Sequence, residues 1–136
     1  MWQQNLGINV ELVNQDWKVY LSREMIGDFQ VSRAGWIGDY EDPNTFLDTL
    51  RPNRGNNKTG WNNFEFDNLL IKANATLDQA ERYKILMDAE RLLIDEMPIA
   101  PIYTYVRVYQ LHDDVKGWYP NILSHHHPKY LRLERD

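Results

Sequence analysis

Three carboxylates fall within four residues, Asp39, Glu41 and Asp42, inside the run Gly35-Trp36-Ile37-Gly38-Asp39-Tyr40-Glu41-Asp42-Pro43. Gly35 and Gly38 let the backbone come close to a ligand. A carboxylate beside Trp36 loses part of its water, which strengthens its attraction for a cation. The chemistry this suits is holding an ammonium group, not breaking a bond. A second reading stands beside it: Asp42 is an N-cap ahead of Pro43, and Asp39 and Glu41 are solvated loop charges. Other carboxylate chemistries fit less well. A glycosidase needs two carboxylates roughly 5–9 Å apart across a sugar, usually from different elements. A calcium loop needs regularly spaced oxygens and a distant glutamate, a pattern missing here.

The remaining candidates are fewer. Arg33 lies in a strand-like run, where a buried arginine needs either an internal carboxylate or a ligand's. Adjacent histidines in an extended segment point to opposite faces, so His125, His126 and His127 suit a solvated loop better than one metal ion. His112, beside Asp113 and Asp114, reads as a surface turn. The chain has no cysteine, which excludes a disulfide framework, a thiolate zinc site and a thiol nucleophile. No motif for a cofactor or metal is present. Fifteen Lys and Arg stand against twenty Asp and Glu, a net charge of −5, and no basic–aromatic stripe occurs. That balance argues against nucleic acid. No run of 18 apolar residues exists to span a membrane. Five tryptophans and eight tyrosines are a heavy load for so polar a chain, and suit either a core or a recognition surface.

The elements that must hold these residues follow from periodicity. Met1 to Leu6 reads as the last turn of a helix stopped at Gly7, so the chain is expected to be a piece of something longer. Ile8 to Val13 alternates as a half-buried strand. Asn14 or Asp16 caps a helix carrying Trp17, Tyr20, Leu21, Glu24 and Met25, which Gly27 ends. Phe29 to Gly35 is the next short strand. Strand, helix, strand over 7–36 predicts a right-handed parallel crossover. Ligands bind at the carboxyl ends of such strands, where the acidic loop lies. Asp42-Pro43 opens a helix with Phe46, Leu47 and Leu50 inward. The eleven residues from Arg51 to Trp61 form a long loop, rich in asparagine and glycine. Two helices come next. The first, over 63–74, turns Phe66, Leu69, Leu70 and Ala73 inward. The second opens on a Thr76–Gln79 capping box, carries Tyr83, Leu86, Met87, Leu93, Ile94 and Met97, and stops at Pro98. Ile99 to Val108 predicts an edge strand, and Tyr130 to Leu133 a last short one. A boundary is expected near residue 107.

Taken together, several stretches resemble the periplasmic oligopeptide-binding proteins, the family 5 extracellular solute-binding proteins that serve ABC importers. They are Leu6-Gly7-Ile8-Asn9-Val10-Glu11-Leu12, Trp17, Arg33 to Tyr40 with Pro43 and Phe46-Leu47, Asn56-Asn57, Ile94-Asp95 and Pro98 to Val106. The likeness covers nearly the whole chain and weakens after residue 115. It implies an α/β fold with a small mixed sheet flanked by helices, part of the second lobe of a type II periplasmic-binding-protein-like receptor. Residues 1–107 would belong to that lobe, and 108–136 would return to the first.

The resemblance further implies an oligopeptide ligand, with Asp39 matching the position that pairs with the peptide's amino terminus. Trp36 matches a pocket wall, Trp17 and Arg33 further pocket positions, and Tyr105 a ligand-facing tyrosine; Gly35 is expected beside them as a ligand-binding residue because glycine lets the backbone approach a ligand closely. The partners it implies are the membrane subunits of an ABC transporter. The compartment would be periplasmic or extracellular, with a lipoprotein anchor in Gram-positive hosts. No catalysis and no cofactor are implied. Two positions depart from the family: Ile37 stands where a well-studied member has cysteine, and Arg23 does not align with the family's arginine near that helix end. The rival readings are the same scaffold around a nickel complex or an oligosaccharide, a carboxylate-based hydrolase, and self-association through exposed Trp and Tyr.

Overall fold

The computed structural model describes residues 1–52, 55–121 and 123–134, so parts of the loop over 51–61 and of the segment 108–136 lie outside the described residues. The chain divides into two compact units, Met1–Arg33 and Ala34–Asp136.

In the first unit, helix α1 (Trp2–Leu6) stops at Gly7, whose φ of 69° is the left-handed conformation glycine adopts without strain. Helix α2 (Trp17–Ile26) starts where Asp16 accepts a hydrogen bond from the Lys18 N–H at 3.0 Å, and Gly27 closes it at φ 72°. Both ends match the expectation. The strands expected on either side do not form. Residues 8–13 and 29–35 join no ladder, so the parallel crossover is absent among the described residues. A strand holds its shape by exchanging backbone hydrogen bonds with a neighbour, and neither segment has one here. Without that cover Ile8, Val10 and Leu12 stay exposed, and no residue of the unit is buried.

The core belongs to the second unit. Helix α3 (Asn44–Leu47) runs into a 3-10 turn over Asp48–Leu50 and contributes Leu47 and Leu50. Helix α4 (Phe64–Ala75) is capped by Asn63, which accepts from the Phe66 N–H at 3.0 Å. Helix α5 (Gln79–Glu96) packs along α4. Phe66, Leu70 and Ala73 of α4 meet Ile85, Leu86, Ala89 and Leu93 of α5. Phe66 and Leu70 are wholly buried, and each such side chain contributes about 1.5–3 kcal/mol by leaving water.

Two expectations for α5 are corrected. Its cap is Asp78, accepting from the Glu81 N–H at 2.8 Å. Thr76 instead closes α4, its hydroxyl donating to the Lys72 carbonyl at 2.8 Å. The inward face is also rotated. Tyr83, Met87 and Met97 are exposed, while Ile85 and the small Ala89 are buried.

The sheet is a two-stranded antiparallel ribbon, β1 (Val115–Lys116) with β2 (Arg132–Leu133), pairing Val115 with Leu133. Gly117 makes the approach feasible: a methyl group there would lie 1.9 Å from the Tyr130 carbonyl oxygen, at a φ of 79°. The edge strand expected over 99–108 is corrected likewise. The segment has no ladder, and Ile102, Val106 and Val108 stand in solvent.

Candidate ligand-binding site

The acidic loop lies in the second unit and is held from below by α3. The Asp39 backbone N–H donates to Thr45 Oγ1 at 2.9 Å, and Thr45 is 4% exposed. A methyl group on Gly38 would come within 3.1 Å of Thr45 Cγ2 and 3.3 Å of Phe46 Cζ, so glycine is what lets the loop lie this close to the helix. Tyr40 Oη accepts from Asn44 Nδ2 at 3.2 Å. Asp42 Oδ1 accepts from the Asn44 N–H at 2.9 Å, the capping role expected of it. Asn44 Oδ1 is buried without a hydrogen-bond partner among the described residues.

Asp42 has a second role that sequence reasoning missed. Arg82 of α5, forty residues on, grips it with both amino groups, Nη1 to Oδ2 at 2.6 Å and Nη2 to Oδ1 at 2.8 Å. Both side chains are only 21% exposed, so water competes weakly for the pair. The Arg82 hydrogen bonds hold the Asp42 carboxyl below the usual carboxylate range. The Asn44 N–H adds to this, while burial opposes it. A signal for Arg82 existed: positions 82, 85, 86, 89 and 93 share one helix face, and a cation in line with an apolar stripe needs an anion.

The expected site residues fall into two groups. Gly35, Trp36, Asp39 and Tyr105 lie in the second unit. A methyl group built on Gly35 would be in ordinary contact with the Tyr105 ring, 3.8 Å from Cε2. Tyr105 in turn meets Tyr103 edge-on, with centroids 4.8 Å apart. This is the pairing an extended segment gives residues two apart. Asp39 and Trp36 are both exposed, so these residues alone do not supply the shelter expected around the Asp39 carboxylate.

Trp17 and Arg33 lie in the first unit. Trp17 stacks on Tyr20 at 5.2 Å. Tyr20 Oη donates to Glu24 Oε1 at 2.7 Å, and the Arg33 carbonyl oxygen lies 3.2 Å from the same hydroxyl. Burial first, then the hydrogen bond to Glu24, push the Tyr20 phenol above its usual range. Helix α2 thus ties the backbone at Arg33 to the turn that carries Trp17.

The long loop is built rather than loose where it is described. Asn57 Nδ2 donates to the Leu50 and Trp61 carbonyls, both at 2.9 Å, and Trp61 Nε1 donates to Glu96 Oε2 at 2.6 Å. No group of three His, Cys, Asp or Glu able to hold a metal occurs among the described residues. None of their helices is long and apolar enough to cross a membrane.

Residues 1–58 match the family model described as bacterial extracellular solute-binding proteins, family 5 Middle. The chain is 45% identical, over 86% of its length, to the oligopeptide-binding protein OppA of Bacillus subtilis (strain 168), and covers 22% of that protein. It is 38% identical, over 87% of its length, to the periplasmic murein peptide-binding protein MppA of Escherichia coli (strain K12), and again covers 22%. Two solved structures are similar in fold. The unliganded open form of MppA matches with a TM-score of 0.79 and 38% identity, over 85% of this chain and 22% of that one. Haemophilus influenzae OppA in complex with RPPGFSPFR matches with a TM-score of 0.85 and 31% identity, over 98% of this chain and 27% of that one. The chain therefore spans 22% of the length of these two curated relatives.

Proposed function

Since the chain belongs to the family 5 bacterial extracellular solute-binding proteins, we propose that it is part of a peptide receptor serving an ABC importer, and that Asp39 receives the peptide's amino terminus. Its likeness to receptors named for oligopeptides and murein peptides supports the ligand class. The observation that carries the site is the braced loop. Asp39 is fixed through its own N–H, which donates to Thr45 and so makes no demand on the carboxylate, and the residue is exposed.

An ammonium and a carboxylate at hydrogen-bond distance form a charge-assisted pair, and removing water from around it strengthens the attraction. That shelter would come from the rest of the receptor. Trp36 would form a wall of the pocket, and Gly35 would let the backbone and the Tyr105 ring sit close together. Trp17 and Arg33 would serve further pocket positions. Residues 1–107 would belong to the second lobe, with 108–136 returning to the first. The membrane subunits of the importer would be the protein partners, and the compartment would be the periplasm or, with a lipid anchor, the outer face of the membrane. Binding and release need no bond cleavage. The relatives named above lend no support to a nickel complex, an oligosaccharide or a hydrolase.

Calorimetry on the complete receptor tests the reading. Tri- to pentapeptides with a free amino terminus should bind, and Asp39→Asn should weaken them by about tenfold or more, the effect of losing roughly 1.4 kcal/mol. An Asp39→Asn receptor with unchanged affinity would overturn the assignment. The 136-residue chain alone, lacking the sheltering surfaces, should bind the same peptides at millimolar strength or not at all.

A further inference from the structure

Arg82 is remote from Asp39 in sequence, yet a short series of contacts joins them. The guanidinium holds both Asp42 oxygens, at 2.6 and 2.8 Å. One of those oxygens takes the Asn44 N–H at 2.9 Å and so fixes the first turn of α3. The next residue, buried Thr45, presents the hydroxyl that takes the Asp39 N–H at 2.9 Å. Helix α5 is the long element beneath this, anchored in the core by Ile85, Leu86, Ala89 and Leu93 on the face that also carries Arg82. The 39–45 loop has no ladder or disulfide of its own, and its backbone is tied down through these side chains.

We infer that Arg82 is a positioning residue for recognition of the peptide's amino group, acting through Asp42 and α3 to set where the Asp39 carboxylate stands. The inference rests on the reading of Asp39 given above. Geometry matters here as well as charge. The planar fork of arginine grips both carboxylate oxygens at once, whereas lysine offers a single point charge that fixes neither the angle nor the register of the loop. Arg82→Lys should therefore keep the charge and lose the aim.

The test uses the complete receptor and two probes, tri-alanine and N-acetyl-tri-alanine, and reads the dissociation constant of the acetylated probe divided by that of the free one. A residue that only stabilised the fold would change both affinities together and leave the ratio alone. Asp39→Asn is the reference, and its collapse of the ratio establishes the amine pairing. Arg82→Gln should then lower the ratio by about fivefold or more, and Arg82→Lys by a smaller factor. Binding of the acetylated probe should stay within about twofold in both, since precise placement matters most for the pair formed in the complex. If Asp39→Asn collapses the ratio and neither Arg82 variant moves it, the inference is wrong and the Asp39 reading stands. If Asp39→Asn itself leaves the ratio unchanged, the Asp39 reading fails and takes the inference with it. Should Arg82→Gln not fold, Arg82→Lys and Asp42→Asn decide the question by the same ratio.

Discussion

Replacing Asp42 by asparagine removes one charge while keeping the shape and an acceptor for the Asn44 N–H. In the folded chain Asp42 takes two bonds from Arg82 with both side chains about four-fifths covered. A pair open to solvent is worth about 0.2–1 kcal/mol, and a hydrogen bond to a charged group away from water about 1.5–3 kcal/mol. One-fifth exposure lies between these limits, so the coupling between Asp42 and Arg82 should be about 1–2 kcal/mol. The assay is a double-mutant cycle on the 136-residue chain, with Asp42→Asn, Arg82→Gln and the pair, followed by thermal unfolding at 222 nm. Asp42→Asn should lower the melting temperature by about 4–10 °C at pH 7.

The pH dependence has a definite sign. Arg82 holds the folded-state carboxyl below its usual value, so its contribution is full above the unfolded value of about 3.9 and fades as pH falls through the folded one. The gap between the native chain and Asp42→Asn should be wide at pH 7 and should narrow as the pH falls below about 4. A coupling under about 0.3 kcal/mol, within ordinary additivity, or a gap that does not narrow in acid, would mean that Asp42 and Arg82 do not stabilise the fold as an ion pair.

Other perturbations have equally definite outcomes. Phe66→Ala empties a fully buried site beneath Trp61, and should cost about 3–5 kcal/mol in denaturant unfolding; a cost below about 1 kcal/mol would mean that the α4–α5 core is not packed as described. Gly117→Ala forces a side chain into the Tyr130 carbonyl oxygen at a left-handed φ, and should abolish the cross-strand nuclear Overhauser contacts between Val115 and Leu133 while leaving the helical signal of α4 and α5 intact.

Local chemistry made much of this legible in the sequence. The stops at Gly7 and Gly27, the cap at Asp16 and the capping role of Asp42 depend on neighbours two to four residues away, and all four stand in the structure. The core face of α4 was readable for the same reason. The face of α5 was misjudged because large residues such as Met87 drew more weight than Ala89, although packing between close helices favours the small one. Strand propensity at 8–13 and 99–108 says only that a segment suits a ladder. The ladder itself needs a partner distant in sequence, and none of the described residues provides it. The loop bearing Asp39 stood out by its residue types. The Asp42–Arg82 pair did not: the apolar face of α5 signals that Arg82 needs an anion, but no local pattern says which residue forty positions away supplies it.

Recognition of the peptide turns on where one carboxylate stands when ligand is bound, and a crystal structure of the complete receptor with a tripeptide measures that directly. An Asp39 carboxylate oxygen should lie about 2.7–2.9 Å from the peptide's terminal nitrogen, as charge-assisted bonds require. A bound peptide whose amino group lies beyond about 6 Å from Asp39, paired with another acceptor while that carboxylate faces bulk water, would contradict it.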